Sequence, residues 1–193
     1  MSFDQAYYEK LTEEVITFWF GAPDSAELGA NRAIWFDSNP AFDDEIRQRF
    51  GEANQQAASG QLDSMMQDQR GSLALIILLD QFSRNIYRGK AEAFSSDAKA
   101  RLVAENALNN NFDKELLTVQ RKFMYLPFEH AEDLALQDRS VELFVKLGDS
   151  NSTSHALCHR DQIIRFGRFP DRNKALGRKS TLAEQRFLEK PFC

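Results

Sequence analysis

The chain of 193 residues carries 24 Lys and Arg against 29 Asp and Glu, a formal charge of −5, with 42% hydrophobic residues and sixteen Phe. That length suits one compact domain with a full core, expected to span 1–193, and the acidic balance excludes a nucleic-acid binder working by bulk charge. The longest apolar run, Leu73 to Leu79, is too short for a membrane span, and two cysteines, Cys158 and Cys193, are too few for a disulfide framework. With acid early in Met1 to Gln5 and no apolar leader, a soluble cytoplasmic protein is expected.

Apolar residues Val15, Ile16, Phe18, Trp19 and Phe20 predict a first helix over Leu11 to Phe20, with Thr12 as N-cap and Gly21 as its stop. The pattern from Asp24 to Asn39 is irregular, and Trp19, Trp35 and Phe36 read as core anchors. Pro40 sits where first-turn prolines sit, followed by Asp43, Asp44 and Glu45, so a second helix should run to about Ser59. Leu62 to Arg70 reads as a connection with a short helical turn. Ser72 to Arg84 is apolar nearly all round and should be the most buried helix. It then turns abruptly polar at Asp80, Gln81, Arg84, Asn85 and Arg88. Such groups either form a local network, with Asp80 pairing Arg84, or line a site.

Ala91 to Leu108 predicts a helix with a small-residue face, and a further helical run from Asp113 contains Pro127. The proline should bend that run beside Glu129, His130, Glu132 and Asp133, giving a wall for a pocket. Helices follow over Asp138 to Leu147 and Asn151 to Phe166; Gly167 and Pro170 break the second, and Thr181 to Glu184 is a capping box for a last helix. No strand or hairpin signal appears, so the class is all-α with short loops. From pattern alone, an irregular bundle and a stack of antiparallel helix pairs are nearly equal alternatives.

Around Arg160, Arg165, Arg168, Arg172, Lys174 and Arg178 the sign of the charge reverses locally. Guanidinium groups suit planar recognition of carboxylate or phosphate. Arg168, Arg172 and Asn173 lie across a helix start, where free N–H groups favour negative charge. Arg84 and Asn85 can face the same space, with His130 and His159 as neutral donors. The competing reading is that Asp80, Glu129, Glu132 and Asp161 absorb the arginines internally. A metal held by His130 and His159 with carboxylates is disfavoured: no His-Glu-x-x-His occurs and the arginines would repel a cation. Cys158 precedes His159, but neighbours on a helix diverge, and no nucleophile elbow or phosphate loop is present.

Four segments together carry a resemblance. They are Phe18-Trp19-Phe20-Gly21, the run from Leu78 to Gly89, Pro127 to Asp133, and Phe166 to Asn173 with Leu176-Gly177-Arg178. The chain resembles, over nearly its whole length, a bacterial family known only as domain of unknown function 924. The resemblance implies an all-α, tetratricopeptide-repeat-like (TPR-like) fold, a right-handed α-α superhelix of antiparallel helix pairs, and implies no activity. It also places a histidine after Phe-Pro where this chain has Asp171, so an imidazole role at that position is absent here. The function expected is binding of an acidic peptide or small anionic ligand in an arginine- and histidine-lined groove, without cofactor or metal. A hydrolase using His130 and His159 in that groove, and a pure scaffold, are the alternatives.

Overall fold

A computed structural model describes residues 4–191; Met1, Ser2, Phe3 and Cys193, which entered the expectations about leader and compartment, lie outside the described residues. Among those described, the secondary structure is entirely helical. Helix α1 (Gln5–Phe20) starts a turn and a half earlier than its apolar pattern predicts, because Asp4 accepts from the Tyr7 amide at 2.8 Å. Thr12 is therefore not its cap but a buried mid-helix residue. Its last carbonyls, those of Phe18 and Trp19, accept from Arg32 at 2.9 and 2.8 Å, and Trp35 Nε1 adds a third bond to Trp19. The short 3₁₀ turn Ala33–Trp35 is thereby tied to the helix end.

Helix α2 (Pro40–Ala58) has proline in its first turn as predicted, with Asn39 as cap. The central rod follows: α3 (Gln69–Ile76), a π-helical segment (Ile77–Phe82) and α4 (Ser83–Ile86), capped at its start by Asp68. Every residue from Gly71 to Ser83 is buried. The rod packs against α1, α2, α5 (Asp97–Asn109) and α6 (Thr118–Glu129). The π register displaces carbonyls from α-helical partners, and side chains take them up. Asn54 donates to Leu78 O at 2.7 Å, and Arg84 to Asp80 O at 2.9 Å.

The long bent helix expected around Pro127 is instead two helices. Pro127 lies in the last turn of α6, which ends at Glu129; α7 (Leu134–Leu147) begins after Asp133, whose carboxylate caps Leu136. One helix thus becomes a hairpin, because a capping aspartate follows the proline closely. Gly148, at φ 80°, and Asp149 reverse the chain into α8 (Ser150–Phe166), so α6, α7 and α8 pack in succession. A 3₁₀ turn (Pro170–Arg172) and α9 (Leu182–Glu189), with the predicted Thr181–Glu184 capping box complete, end the described chain.

The core joins Trp19, Trp35, Phe42, Phe82 and Phe123, with ring centroids 4.8 to 6.0 Å apart among the contacting pairs. Phe36 is the exception to the anchor prediction: it is 61% exposed. Its ring instead forms part of the wall described next.

Candidate functional site

Three helical rows converge below that aromatic core. Arg84, Asn85 and Arg88 come from the end of the rod, Lys122, Leu126 and Glu129 from α6, and Ser152, His155 and His159 from α8. Within the last two sets the spacing is i, i+3/i+4, so each presents one face of its helix. With Trp35, Phe36 and Phe144 they enclose a cavity of about 490 Å³. A second cavity of about 520 Å³ shares Arg84, Arg88, His130 and His159 and extends to Phe94, Phe169 and Arg172.

The π segment sets a buried carboxylate behind the His130 ring that borders this space. Asp80 is fully buried; its Oδ1 lies 2.7 Å from His130 Nδ1 and 3.0 Å from an Arg84 nitrogen, and Gln81 donates to Oδ2. Burial alone would raise the Asp80 pKa, but Arg84 and His130 outweigh it and hold the acid ionised, well below the usual carboxylate range. Arg84 continues the chain through paired bonds to Asp97 at 2.9 and 3.1 Å. Asp97 also accepts from Arg172 at 3.3 Å, and Arg172 donates to the His130 carbonyl at 3.0 Å while its guanidinium stacks on Phe94 and Phe169. These two arginines are therefore closed into an internal network that docks the C-terminal segment on the rod.

His130 and His159 have matching architecture. Each has Nδ1 turned to a carboxylate: Asp80 for His130, and Glu129 at 3.0 Å for His159. The backbone carbonyl of His155 is a second acceptor for His159 at 2.9 Å. Since only acceptors face Nδ1, that nitrogen carries the proton in both rings and Nε2 is the working atom. Neither Nε2 has a hydrogen-bond partner among the described residues, and both rings line both cavities. Their environments differ in sign. Burial, then Arg84, pushes the His130 pKa down against the pull of Asp80. Burial also opposes the charged form of His159, but its bond to Glu129 wins and the pKa is raised. His130 is thus a neutral acceptor and His159 the readier cation, where the sequence suggested two neutral donors.

Lys122 was missed by the sequence reading. It is 8% exposed, lines the cavity, and makes no hydrogen bond or ion pair to any described residue. Its ammonium lies 4.9 Å from the centre of the Phe36 ring, and burial lowers its pKa, with Asp149 and Glu129 acting only at longer range. The available signal was its spacing: Lys122, Leu126 and Glu129 share one helical face inside an otherwise apolar run.

Of the residues singled out from sequence, Arg84, Asn85, His130 and His159 meet at the first cavity and Arg172 borders the second. Asn85 is also bonded to buried Asp43 at 2.8 Å, beside the paired bonds of Arg88 to the same carboxylate. Arg168 and Asn173 line neither cavity. Arg168 is held by Glu184 at 2.6 and 2.9 Å, a pairing that takes the Glu184 pKa down to about 2. Asn173 is buried between Ser180 and Arg178, and Arg178 pairs with Glu132 at 2.6 Å. The convergence of C-terminal guanidinium groups on a hollow is thus corrected: Arg160, Arg165, Arg168 and Arg178 pair with Asp138, Asp161, Glu184 and Glu132. Among the described residues no group of three His, Cys, Asp or Glu is arranged to hold a metal ion, and no helix is long and apolar enough to cross a membrane.

Residues 15–192 match the family described as "Bacterial protein of unknown function (DUF924)". A solved structure from Agrobacterium tumefaciens, described as the protein of unknown function ATU0120, is similar with a TM-score of 0.85 and 39% identity. The alignment covers 94% of this chain and 98% of that one. No curated protein matches the sequence.

Proposed function

The chain belongs to this bacterial family of unknown function, and from that premise we propose that its first cavity binds a small organic anion, a carboxylate carried on an apolar body. The observation that carries the reading is Lys122. A buried ammonium is costly unless it is paired, and here no described residue forms an ion pair or hydrogen bond with it, Asp149 and Glu129 acting only at longer range. A ligand carboxylate beside Lys122 Nζ, within reach of the protonated His159, supplies it. Trp35, Phe36, Leu126 and Phe144 offer the apolar half of the contact. A volume of about 490 Å³ lies within the range of small-molecule pockets, which favours a small ligand over an acidic peptide. The succession of α6, α7 and α8 hairpins supports reading the fold as a TPR-like stack whose inner face holds this pocket.

Benzoate is a suitable probe, with toluene as the uncharged control. Calorimetric titration should give saturable binding of benzoate to the wild-type chain and none to Lys122→Met. Equal binding of benzoate by both proteins would remove the reading.

A further inference from the structure

Two carboxylate-backed imidazoles open onto one cavity, and their Nε2 atoms have no partner among the described residues. A binding pocket has no need of that arrangement. One cation suffices to hold an anion, and Lys122 already provides it. A carboxylate behind Nδ1 fixes the ring orientation and tautomer and leaves Nε2 to exchange a proton with whatever occupies the pocket. Here it occurs twice, on adjacent helices: Glu129 closes α6, His130 follows it, and His159 comes from α8. The two positioning carboxylates, Asp80 and Glu129, are 0% and 4% exposed. Asp80 lines neither cavity, and Glu129, which borders the first, has its carboxylate engaged by His159 Nδ1 at 3.0 Å, so their role is exerted through the imidazoles.

We infer that the cavity is a hydrolytic site for carboxylic esters or amides that carry a carboxylate, with His130 as general base and His159 as general acid. This rests on the anion reading of the same pocket. Water is the co-reactant. His130 Nε2 takes a proton from the water as its oxygen forms a bond to the acyl carbon. The tetrahedral adduct then expels the alcohol or amine as its C–O or C–N bond breaks, and that leaving atom takes the proton from His159 Nε2. The acid product retains the added hydroxyl, and both rings regain their resting protonation by exchange with solvent. Substrate charge on Lys122 sets the position of the acyl group, so no nucleophilic side chain is required.

The protonation states that this assignment needs are those the surroundings favour. Asp80 and Arg84 from the rod, and Asp97 from α5, face His130; Glu129 and Arg172 face His159. Opposite shifts in a pair of titratable groups are how one site supplies an acid and a base together.

The test uses 4-acetoxybenzoate, with phenyl acetate as the ester without the charge. The wild-type chain should release 4-hydroxybenzoate faster than buffer and should prefer the charged ester. His130→Gln and His159→Gln should each lower kcat by roughly 10² to 10⁴-fold; benzoate binding survives in His130→Gln, and in His159→Gln, which removes one of the two cations facing the anion, it weakens but still depends on Lys122. Glutamine at 130 can still donate to Asp80, and the partly exposed position 159 gives a second variant should the first fold poorly. Failure of the wild type to cleave 4-acetoxybenzoate, or cleavage that both glutamine variants retain, overturns the hydrolytic assignment. Benzoate binding that depends on Lys122 would then still stand, so the two failures are separable.

Discussion

Replacing Lys122 by methionine should make the protein more stable while abolishing its affinity for benzoate. The side chains are similar in length, and the position is 8% exposed, so methionine fills the same space with no charge to desolvate. Burying an unpaired ammonium costs several kcal/mol in effective terms. Against that stands the contact with the Phe36 ring at 4.9 Å, a cation–π interaction contributing about 0.5–2 kcal/mol. Taking the penalty as about 3 kcal/mol and the ring contact as about 1–2 kcal/mol, its desolvated end, leaves a net gain of about 1–2 kcal/mol. For a chain of this size each kcal/mol moves Tm by about 2–4 °C, so the variant should melt about 2–8 °C higher. Benzoate at a hundred times its Kd should add about 2.7 kcal/mol to the wild type and nothing to the variant. Thermal unfolding followed by circular dichroism, with and without benzoate, reads both effects. A variant that melts several degrees lower than wild type would show that Lys122 is held by the protein and waits for no ligand.

The Asp80 carboxylate joins His130, Arg84 and Gln81, so Asp80→Asn should cost about 3–5 kcal/mol, as removal of one member of a buried charge pair does; an unchanged urea midpoint would contradict this. Arg168→Ala should free Glu184 and speed hydrogen exchange in α9, which it helps to anchor through Glu184 and the Lys179 carbonyl, without altering benzoate binding. Loss of binding in that variant would mean that Arg168 reaches the pocket after all. The pH dependence of binding has a defined sign. His159 has a pKa raised above 6.5 by Glu129, against burial and Arg172, so its positive charge is present on the acid side and lost as pH rises through that value. Benzoate affinity should therefore fall above pH 6.5, and a flat profile from about pH 6 to about pH 9 would refute the role of the imidazolium.

Local chemistry made the helix ends legible in the sequence. Gly21 after α1, Pro40 at the start of α2 and the Thr181 box before α9 each act within a turn of the residues they constrain. Thr12 was mistaken for a cap because the residues before it are mostly polar, while Asp4 caps the helix about two turns upstream of it. Pro127 was legible as an interruption, but whether the chain bends or breaks depended on Asp133 capping a new helix. The polar turn after the dry run, Asp80 to Arg88, was visible as a network or a site; the network is there, with Asp80 holding the His130 ring, and Arg84, Asn85 and Arg88 border a cavity. The fate of the arginines was not legible. Arg168 and Arg178 find carboxylates 16 and 46 residues away, and only the tertiary fold brings those partners together. Lys122 was overlooked for the opposite reason: a lone lysine on a helix normally faces solvent, and its burial comes from the packing of α8 and the placement of Phe36.

The most direct test of the pocket's chemistry is a crystal grown with 4-bromobenzoate and measured at the bromine absorption edge. The carboxylate should hydrogen-bond Lys122 Nζ, with the ring against Phe36 and Leu126 and both imidazole Nε2 atoms facing the bound molecule. Bromine signal away from this cavity, or a carboxylate bound elsewhere while the lysine stays unpartnered, would contradict the account.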